Sequence, residues 1–582
     1  MEVISRRNLF EIDNARNLLT SEVVRTFVPT KSFWRLLSSK NHIVLGARGS
    51  GKTELVRMLA HDHLVQFDDN RCKEVIKNKE FIGIYVPTKL EWVGSLKNKQ
   101  WKTEIEAEAF FQWRLNISTC AAFLVTLRSC LDTYIQNEGD RARKERDLAK
   151  ELYRTWINDN KSCETLKDLH RHLEDVEHEK QNQITQTRTT GIPIPKDQLK
   201  GIYFENELFF PLNRAITLAS RALSFPFHTK WLLCLDETEF LEQNYHKILN
   251  SHLRTHSGNL VFKITTMPYY HHTLETNINV SLSVGHDFEY IYIDRDPLET
   301  SSKNNEIETF AKNLFNKRAS ESEESYQWED FKELLGPSIL LDPKTSAWST
   351  DSEMMALLKR YANSETQKRA ERIANTSSFK DQISRKMHGA LLLRESVEQT
   401  RGRSGLDIYS GIKIVTSCSD ANPRRLIRIF NLFISEAINI NSNPIKRELQ
   451  TRLLTQFSTS TLNRIQSEPE YGSELYKFLS KIGEFMRHSL HEELLGTDQV
   501  SSIEINKSVT DREWKVIKLA VGLGLLYPNI NANSGDQMPE RNGIFRLAYV
   551  LAPHFKLLPR KGKSVTLNRI IQQPSLDLFT EK

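Results

Sequence analysis

Cysteine is scarce in this chain of 582 residues, and the six that occur, Cys72, Cys120, Cys130, Cys163, Cys234 and Cys418, stand far apart. No two of them form a CxxC pair, which argues against a zinc ribbon and against a disulfide scaffold, so idle thiols in a reducing compartment are expected. The 17 histidines include no HExxH pattern, and the His271-His272 doublet beside Tyr269-Tyr270 reads as loop. Charge of one sign is equally scarce. Lys plus Arg number 80 against 74 for Asp plus Glu, a net of +6, which excludes a bulk basic nucleic-acid wrapper but leaves room for a local basic face. No apolar run approaches the roughly 20 residues that a membrane-crossing helix needs. The first residues lead into Glu11 and Asp13 without a signal-peptide core, so a cytoplasmic protein with no membrane partner is expected. The length suggests about three or four domains.

What is present begins with a phosphate loop. His42-Ile43-Val44-Leu45 has strand character and runs directly into Gly46-Ala47-Arg48-Gly49-Ser50-Gly51-Lys52-Thr53, the GxxxxGK[ST] pattern. Leu55, Val56, Leu59, Ala60 and Leu64 then recur at helical spacing, so the loop joins a strand to a helix. Glycines let backbone N–H groups approach phosphates, and the helix start adds favourable partial charge. Lys52 can reach the β- and γ-phosphates of ATP, and the Thr53 hydroxyl can ligate Mg²⁺.

A P-loop also needs an acidic strand end. Trp231-Leu232-Leu233-Cys234-Leu235 ends in Asp236-Glu237. Asp236 is expected to hold the Mg²⁺ shell, and Glu237 to orient and deprotonate the attacking water. Leu260-Val261-Phe262-Lys263-Ile264 is a further β-rich run ending in Thr265-Thr266, either of which could sense the γ-phosphate. Arg254, just ahead of that run, is a candidate arginine finger reaching a neighbouring subunit. Asp287 to Asp294 alternates with period two and predicts the next strand.

The long chain interval between Lys52 and Asp236 calls for an insertion. The stretch of about 96–198 supplies one, helical in pattern, with an alternating-sign charged part and an intermittent stripe of Leu148, Leu152, Trp156, Leu166, Leu169 and Leu173; Thr187 to Pro195 reads as the loop back. Helical character resumes from about 296 to 440, with interruptions near 320–324 and 337–348. Within it, Asn422-Pro423 opens a helix that carries Arg424, Arg425 and Arg428, since proline suits a first helical turn. After 441 come helices around Leu475–Phe485 and Trp514–Leu526, a polar stretch over 529–541 and an apolar run over 544–551. Helices followed by a hairpin with a polar tip suggest a winged helix. Lys556, Arg560, Lys561, Lys563 and Arg569 bring five positive charges with no acid among them, suited to DNA phosphates.

GARGSGKT, LLCLDE, VFKITT and DANPRRLIRIFN follow one another in the order of AAA+ and STAND-type ATPases, and the chain is similar to the bacterial origin-recognition-initiator-like AAA ATPases. The resemblance covers about 20–570. It implies that Lys52, Thr53, Asp236 and Glu237 hold their family roles, with Thr265 or Thr266 as sensor 1 and Arg424 or Arg425 as sensor 2. The large insertion departs from the family pattern, and Phe27-Val28-Pro29-Thr30 lies where an adenine-contacting motif would sit. The expected fold is α/β: an N-terminal linker over 1–40, a P-loop NTPase core with parallel sheet and helical insertion over 41–300, a helical lid over 301–440, and a winged-helix-like domain over 441–582. The expected function is an ATP- and Mg²⁺-dependent ATPase switch that self-associates with nucleotide and binds double-stranded DNA. The alternative is a STAND-like signalling or antiphage-defence ATPase that gates an effector protein.

Overall fold

The computed structural model of the chain describes residues 9–88, 93–94, 96, 104–157, 162–190, 207–255, 259–294, 303–322, 330–341, 351–374, 376–400, 407–440, 444–530, 538–539 and 541–571. They divide into two compact units. One holds Leu18–Leu45 and Lys52–Tyr292; the other holds the N-terminal segment to Asn17, Gly46–Gly51 and the chain from Ile293 onward.

The first unit is built on a parallel sheet. Its strands are β1 (His42–Leu45), β2 (Phe81–Pro87), β3 (Lys230–Asp236), β4 (Leu260–Thr266) and β5 (Glu289–Tyr292), in spatial order β2-β3-β4-β1-β5 with every pair parallel. All of β1 and β4 is buried, the unbroken burial expected of strands covered on both faces. Register brings the strand ends level: Leu45 pairs with Thr266 and with Tyr292, and Pro87 pairs with Asp236. In open α/β sheets ligands bind at this carboxyl edge. After β1 and the glycine loop, α1 (Lys52–Arg57) begins the crossover. The chain just beyond it lies so close to β2 that a Cβ on Gly83 would fall 1.8 Å from the Leu59 carbonyl oxygen, so no larger residue fits.

The helical insertion belongs to this unit's core. In α2 (Glu104–Tyr134) Phe123 stacks 5.4 Å from Trp231 of β3, and Thr126 donates to the Gly83 carbonyl at 3.2 Å. The predicted stripe is buried where α3 (Glu138–Trp156) and α4 (Leu166–Thr190) meet: Leu148, Leu152, Trp156, Leu166, Leu169 and Leu173 are each at most 3% exposed. The charges stay outside, with Glu164 paired to Arg146 and Lys150 at 3.0 Å each. The chain expected to loop from Thr187 continues as helix to Thr190; the rest of that predicted loop lies outside the described residues. Next, α5 (Phe210–Ala222) is tied to α3 by the Trp156 indole donating to the Pro211 carbonyl at 3.1 Å. Between β3 and β4 runs α6 (Gln243–Thr255).

The expected linker over 1–40 differs. Helices at Thr20–Thr26 and Lys31–Leu36 bury Val23, Phe33 and Leu36 in the sheet unit. Phe10 packs instead in the other unit, 5.5 Å from Phe315. Aromatic residues spaced through a polar segment were the reason: they dock wherever apolar surface is available.

Among the described residues the second unit is mainly helical between Lys303 and the end of α7 (Pro423–Ile440), and there Phe315, Phe331 and Phe430 form one aromatic cluster. Beyond it lie α8 (Gly472–His491), β6 (Val500–Ile505), α9 (Asp511–Gly522), β7 (Leu526–Pro528), β8 (Gly543–Leu547) and β9 (Lys563–Thr566), the four strands ordered β7-β8-β6-β9. β7 and β8 form an antiparallel hairpin, and a single helix, α9, stands between β6 and β7. Most of the predicted polar tip, 531–537 and 540, lies outside the described residues. All six cysteines are free thiols. Among the described residues no helix is long and apolar enough to cross a membrane.

One buried cation anchors the chain's entry into β1. Lys263, fully buried on β4, donates to the carbonyls of Ser38 (2.9 Å) and Lys40 (2.6 Å) and to Nδ1 of His42 (2.9 Å). Burial pushes its ammonium down to about 7, and His42, buried beside it, is pushed down to about 3. Replacing Lys263 with Met would take the donor from the Ser38 and Lys40 carbonyls and from the buried Nδ1 of His42, so Lys263→Met should destabilise the sheet unit by about 1–3 kcal/mol. A denaturant midpoint equal to that of the wild type would show that these bonds carry no net stability.

Candidate nucleotide site

Gly46–Gly51 crosses from the end of β1 to the start of α1. Gly49 (φ +84°) and Gly51 (φ +92°) are in the left-handed region, which other residues adopt only at a cost. A Cβ on Gly46 would lie 2.4 Å from the Ser50 hydroxyl and 2.6 Å from Ile293. The first half of the loop is braced by protein groups. Ala47 N–H donates to the Asp294 carboxylate (2.6 Å), Arg48 N–H to the Gly522 carbonyl (2.8 Å), and Ser50 N–H to the Ala47 carbonyl (3.1 Å). Asn422 donates its side-chain amide to the Arg48 carbonyl (3.1 Å), and Arg424 N–H donates to the Gly49 carbonyl (3.3 Å). The second half is different. Among the described residues no hydrogen bond occupies the amides of Gly49 or Gly51, and the buried Ser50 hydroxyl has no partner. Unpaired donors in a glycine cradle fit an anion such as a polyphosphate. The chain passes from this cradle directly into Lys52 and Thr53, the first residues of α1.

At the carboxyl edge of the sheet a second group of side chains is locked together. Asp236, fully buried, accepts from the Thr265 hydroxyl on Oδ1 (2.5 Å) and from the Tyr85 hydroxyl on Oδ2 (3.0 Å). Glu237 has left-handed backbone (φ 62°, ψ 44°), and its N–H donates to Thr265 Oγ1 (2.9 Å). The Thr238 hydroxyl donates to the Thr265 carbonyl (3.0 Å). Thr265 is therefore committed to holding the Asp236–Thr238 turn, giving its single proton to Asp236. Thr266, level with Leu45 of β1, makes a longer contact to the Met267 carbonyl (3.5 Å).

Glu239 was missed in the sequence, although it stands in the run Asp236-Glu237-Thr238-Glu239. Its Oε2 is buried without a hydrogen-bond partner. Burial pushes the carboxyl up to about 7; Lys52 pulls it down, while Glu237 and Asp236 push it further up. Lys52 is 7% exposed. Glu239 and Lys52 thus share one low-water environment beside the strand ends, where like and opposite charges act strongly.

Other predicted residues sort differently. Arg425 is spent inside the fold: its guanidinium donates to Asp420 (2.9 Å), the Tyr527 hydroxyl (3.3 Å) and the carbonyls of Leu523 (3.3 Å) and Gly524 (2.5 Å). Arg424 is the one whose side chain lies against the loop, its Cβ 3.0 Å from where a Gly49 Cβ would stand, with Nε donating to the Asp13 carbonyl (3.3 Å). Arg254 belongs to the sheet unit. It ends α6, next to the beginning of β4 and so at the opposite edge of the sheet, and donates to the Ser281 carbonyl (2.7 Å). Phe27 is buried in a ring cluster with Phe33 and Phe67, which leaves it no face for a base.

The basic run near the end is divided. Lys561, Lys563 and Arg569 are exposed, whereas Arg560 donates to the Arg385 carbonyl (2.6 Å) and Lys556 is half-buried. A second basic group escaped notice in the sequence: Arg512, Lys515 and Lys518 recur every third residue along α9. Burial lowers the Lys518 ammonium, and nearby Lys515 and Arg541 lower it further. Helical spacing gathers these charges on one face, while Asp511 and Glu513 dilute them in the linear sequence.

The strand order and glycine loop are compatible with a P-loop NTPase core. A family model described as ORC-CDC6-like matches residues 8–567, and the chain belongs to that family, one of AAA+ ATPase-like nucleotide-binding proteins. No curated protein and no solved structure matches the chain.

The Glu239 environment predicts a pH signature in the nucleotide-free protein. A carboxyl that holds its proton more tightly when folded contributes stability that is full below about pH 4.5 and lost as pH rises through about 7. Glu239→Gln lacks that titration. Its melting temperature relative to the wild type should therefore climb between pH 5 and pH 8. Parallel melting curves across that range would place Glu239 in water.

Proposed function

We propose that this protein is a Mg²⁺-dependent ATP-binding and ATP-hydrolysing switch that binds double-stranded DNA through a winged-helix-like C-terminal module. The observation that carries the reading is the glycine cradle: two left-handed glycines whose amides, and a Ser50 hydroxyl, have no hydrogen-bond partner among the described residues, followed at once by Lys52 and Thr53. In this reading the amides of Gly49 and Gly51 hold the phosphates, and Lys52 neutralises the β- and γ-phosphates. Thr53 and Asp236 would hold Mg²⁺, which when bound neutralises charge developing on the transferred phosphoryl group. Two protein ligands suit an ion that keeps waters and phosphates in the rest of its shell.

Glu237 orients the attacking water and takes its proton. The left-handed turn fixes where Glu237 starts from, and the Thr265 hydroxyl pins its N–H. Thr266 is the residue left to face the γ-phosphate, because Thr265 has given its proton to Asp236. Arg424 approaches the phosphates from the start of α7, supported by its contact with Gly49. Contacts made only with a γ-phosphate bias the chain between two states, including its self-association.

The DNA reading is supported by Lys515 and Lys518 on α9 and by the exposed Lys561, Lys563 and Arg569 as phosphate partners, whereas Arg512 is paired with Glu474 (2.8 Å) and Arg541 with Asp511. Such contacts position a duplex without reading its bases.

Lys52→Ala should abolish binding of a fluorescent ATP analogue. Glu237→Gln should keep that binding while hydrolysis falls by about 10²- to 10³-fold. Unchanged turnover in the Gln variant would remove Glu237 from the chemistry. A Lys515→Glu/Lys518→Glu double variant should weaken duplex binding for all sequences and flatten its salt dependence by about two charges. If no duplex binds the wild type even at low salt, a partner protein becomes the target of the switch.

A further inference from the structure

Asp420 lies just ahead of α7 with left-handed backbone (φ 53°), and so does Ala421 (φ 55°). Two successive non-glycine residues in this region are costly, on the order of 1–2 kcal/mol each, and persist only where the surroundings hold them. The Asp420 carboxylate provides that hold. Oδ1 accepts from Arg546 (3.0 Å) and from Tyr549 N–H (3.0 Å); Oδ2 accepts from Arg425 (2.9 Å) and from Val550 N–H (3.1 Å). The side chain is fully buried. The Arg546 guanidinium also stacks 3.8 Å over the Tyr549 ring.

The same carboxylate governs both braces on the glycine loop. On one side, the turn that Asp420 fixes presents Asn422 to the Arg48 carbonyl and Arg424 N–H to the Gly49 carbonyl. On the other, Arg425 carries the connection to the carbonyls of Leu523 and Gly524, where α9 ends and β7 begins. One residue earlier, the Gly522 carbonyl accepts Arg48 N–H at 2.8 Å. Gly524 (φ +69°) lies close enough that a Cβ there would fall 3.0 Å from Ala47 Cβ and 3.2 Å from the Arg425 guanidinium. The end of α9 is thus bonded directly to the loop, and close packing of this kind does not deform continuously.

We propose that Asp420 is a positioning residue that couples nucleotide occupancy of the glycine loop to the α9–β7 turn, so that the placement of α9 reports what the loop holds. The proposal rests on the nucleotide reading of Gly46–Thr53 and adds the path by which that occupancy leaves the site. Ordering of Gly49–Gly51 around phosphates biases the Arg48–Gly522 bond, and with it the last turn of the helix that carries Arg512, Lys515 and Lys518. The coupling is reciprocal, so a ligand on α9 biases the loop in return.

The test is amide hydrogen exchange on the full chain, without nucleotide and with Mg·ADP or a non-hydrolysable ATP analogue. Nucleotide binding is measured separately by anisotropy of a fluorescent analogue. In the wild type, exchange over 515–528 should change about fivefold or more on nucleotide addition. In Asp420→Asn that difference should disappear while the analogue still binds. Gly524→Ala, whose new methyl group presses on Ala47, should also lose the difference, and it decides the matter if the Asn variant does not fold. Binding by the wild type with unchanged exchange over 515–528 would overturn the coupling alone. So would a full response in both variants. Absence of binding by the wild type would overturn the nucleotide reading and this proposal with it.

Discussion

A carboxylate buried at the edge of a parallel sheet must find its hydrogen-bond donors in protein, and Asp236 finds two, Tyr85 and Thr265. That requirement organises much of the site. Leaving such a charge unsatisfied would cost several kcal/mol. Meeting it draws the end of β4 against the end of β3, fixes Thr265 as a clamp, and sets the left-handed turn at Glu237. Register does the rest, because parallel pairing brings Leu45, Thr266 and Tyr292 level, and the glycine loop leaves from that same edge.

The two neighbouring arginines of α7 show how close positions acquire opposite tasks. Arg425 is consumed by Asp420, Tyr527 and the α9–β7 carbonyls, a buried ion pair whose two terminal nitrogens are each bonded twice. Its net worth lies less in stability than in fixing one arrangement of groups. Arg424, one residue earlier on the helix, turns toward Gly49 instead. The chemistry that would reach phosphate and the scaffolding that aims it thus occupy adjacent residues on α7.

Local patterns with strong physical demands were legible in the sequence. The glycine loop was visible because only that spacing of Gly, Lys and Thr cradles phosphate between a strand and a helix. The strand runs before Asp236 and Thr265 were visible because a parallel sheet needs continuous apolar residues, and the stripe from Leu148 to Leu173 was visible because burial follows helical spacing. What was not legible depended on contacts distant in the chain. Nothing local separates Thr265 from Thr266, or Arg424 from Arg425; partners on other elements do so. Arg254, expected as a finger toward a neighbouring subunit, stands near the beginning of β4, at the other edge of the sheet from Thr266. Nothing in the sequence singles out Asp420, since its partners Arg546, Tyr549 and Val550 lie more than a hundred residues away.

Recognition of a polyphosphate by Gly49–Thr53 is tested by calorimetric titration of the full chain with Mg·ATP, Mg·ADP and AMP. One saturable site per chain for ATP and ADP is predicted, with AMP weaker by at least about tenfold because it lacks the phosphates that the cradle and Lys52 hold. AMP binding as tightly as ADP, or no saturable site for any of the three, would contradict it.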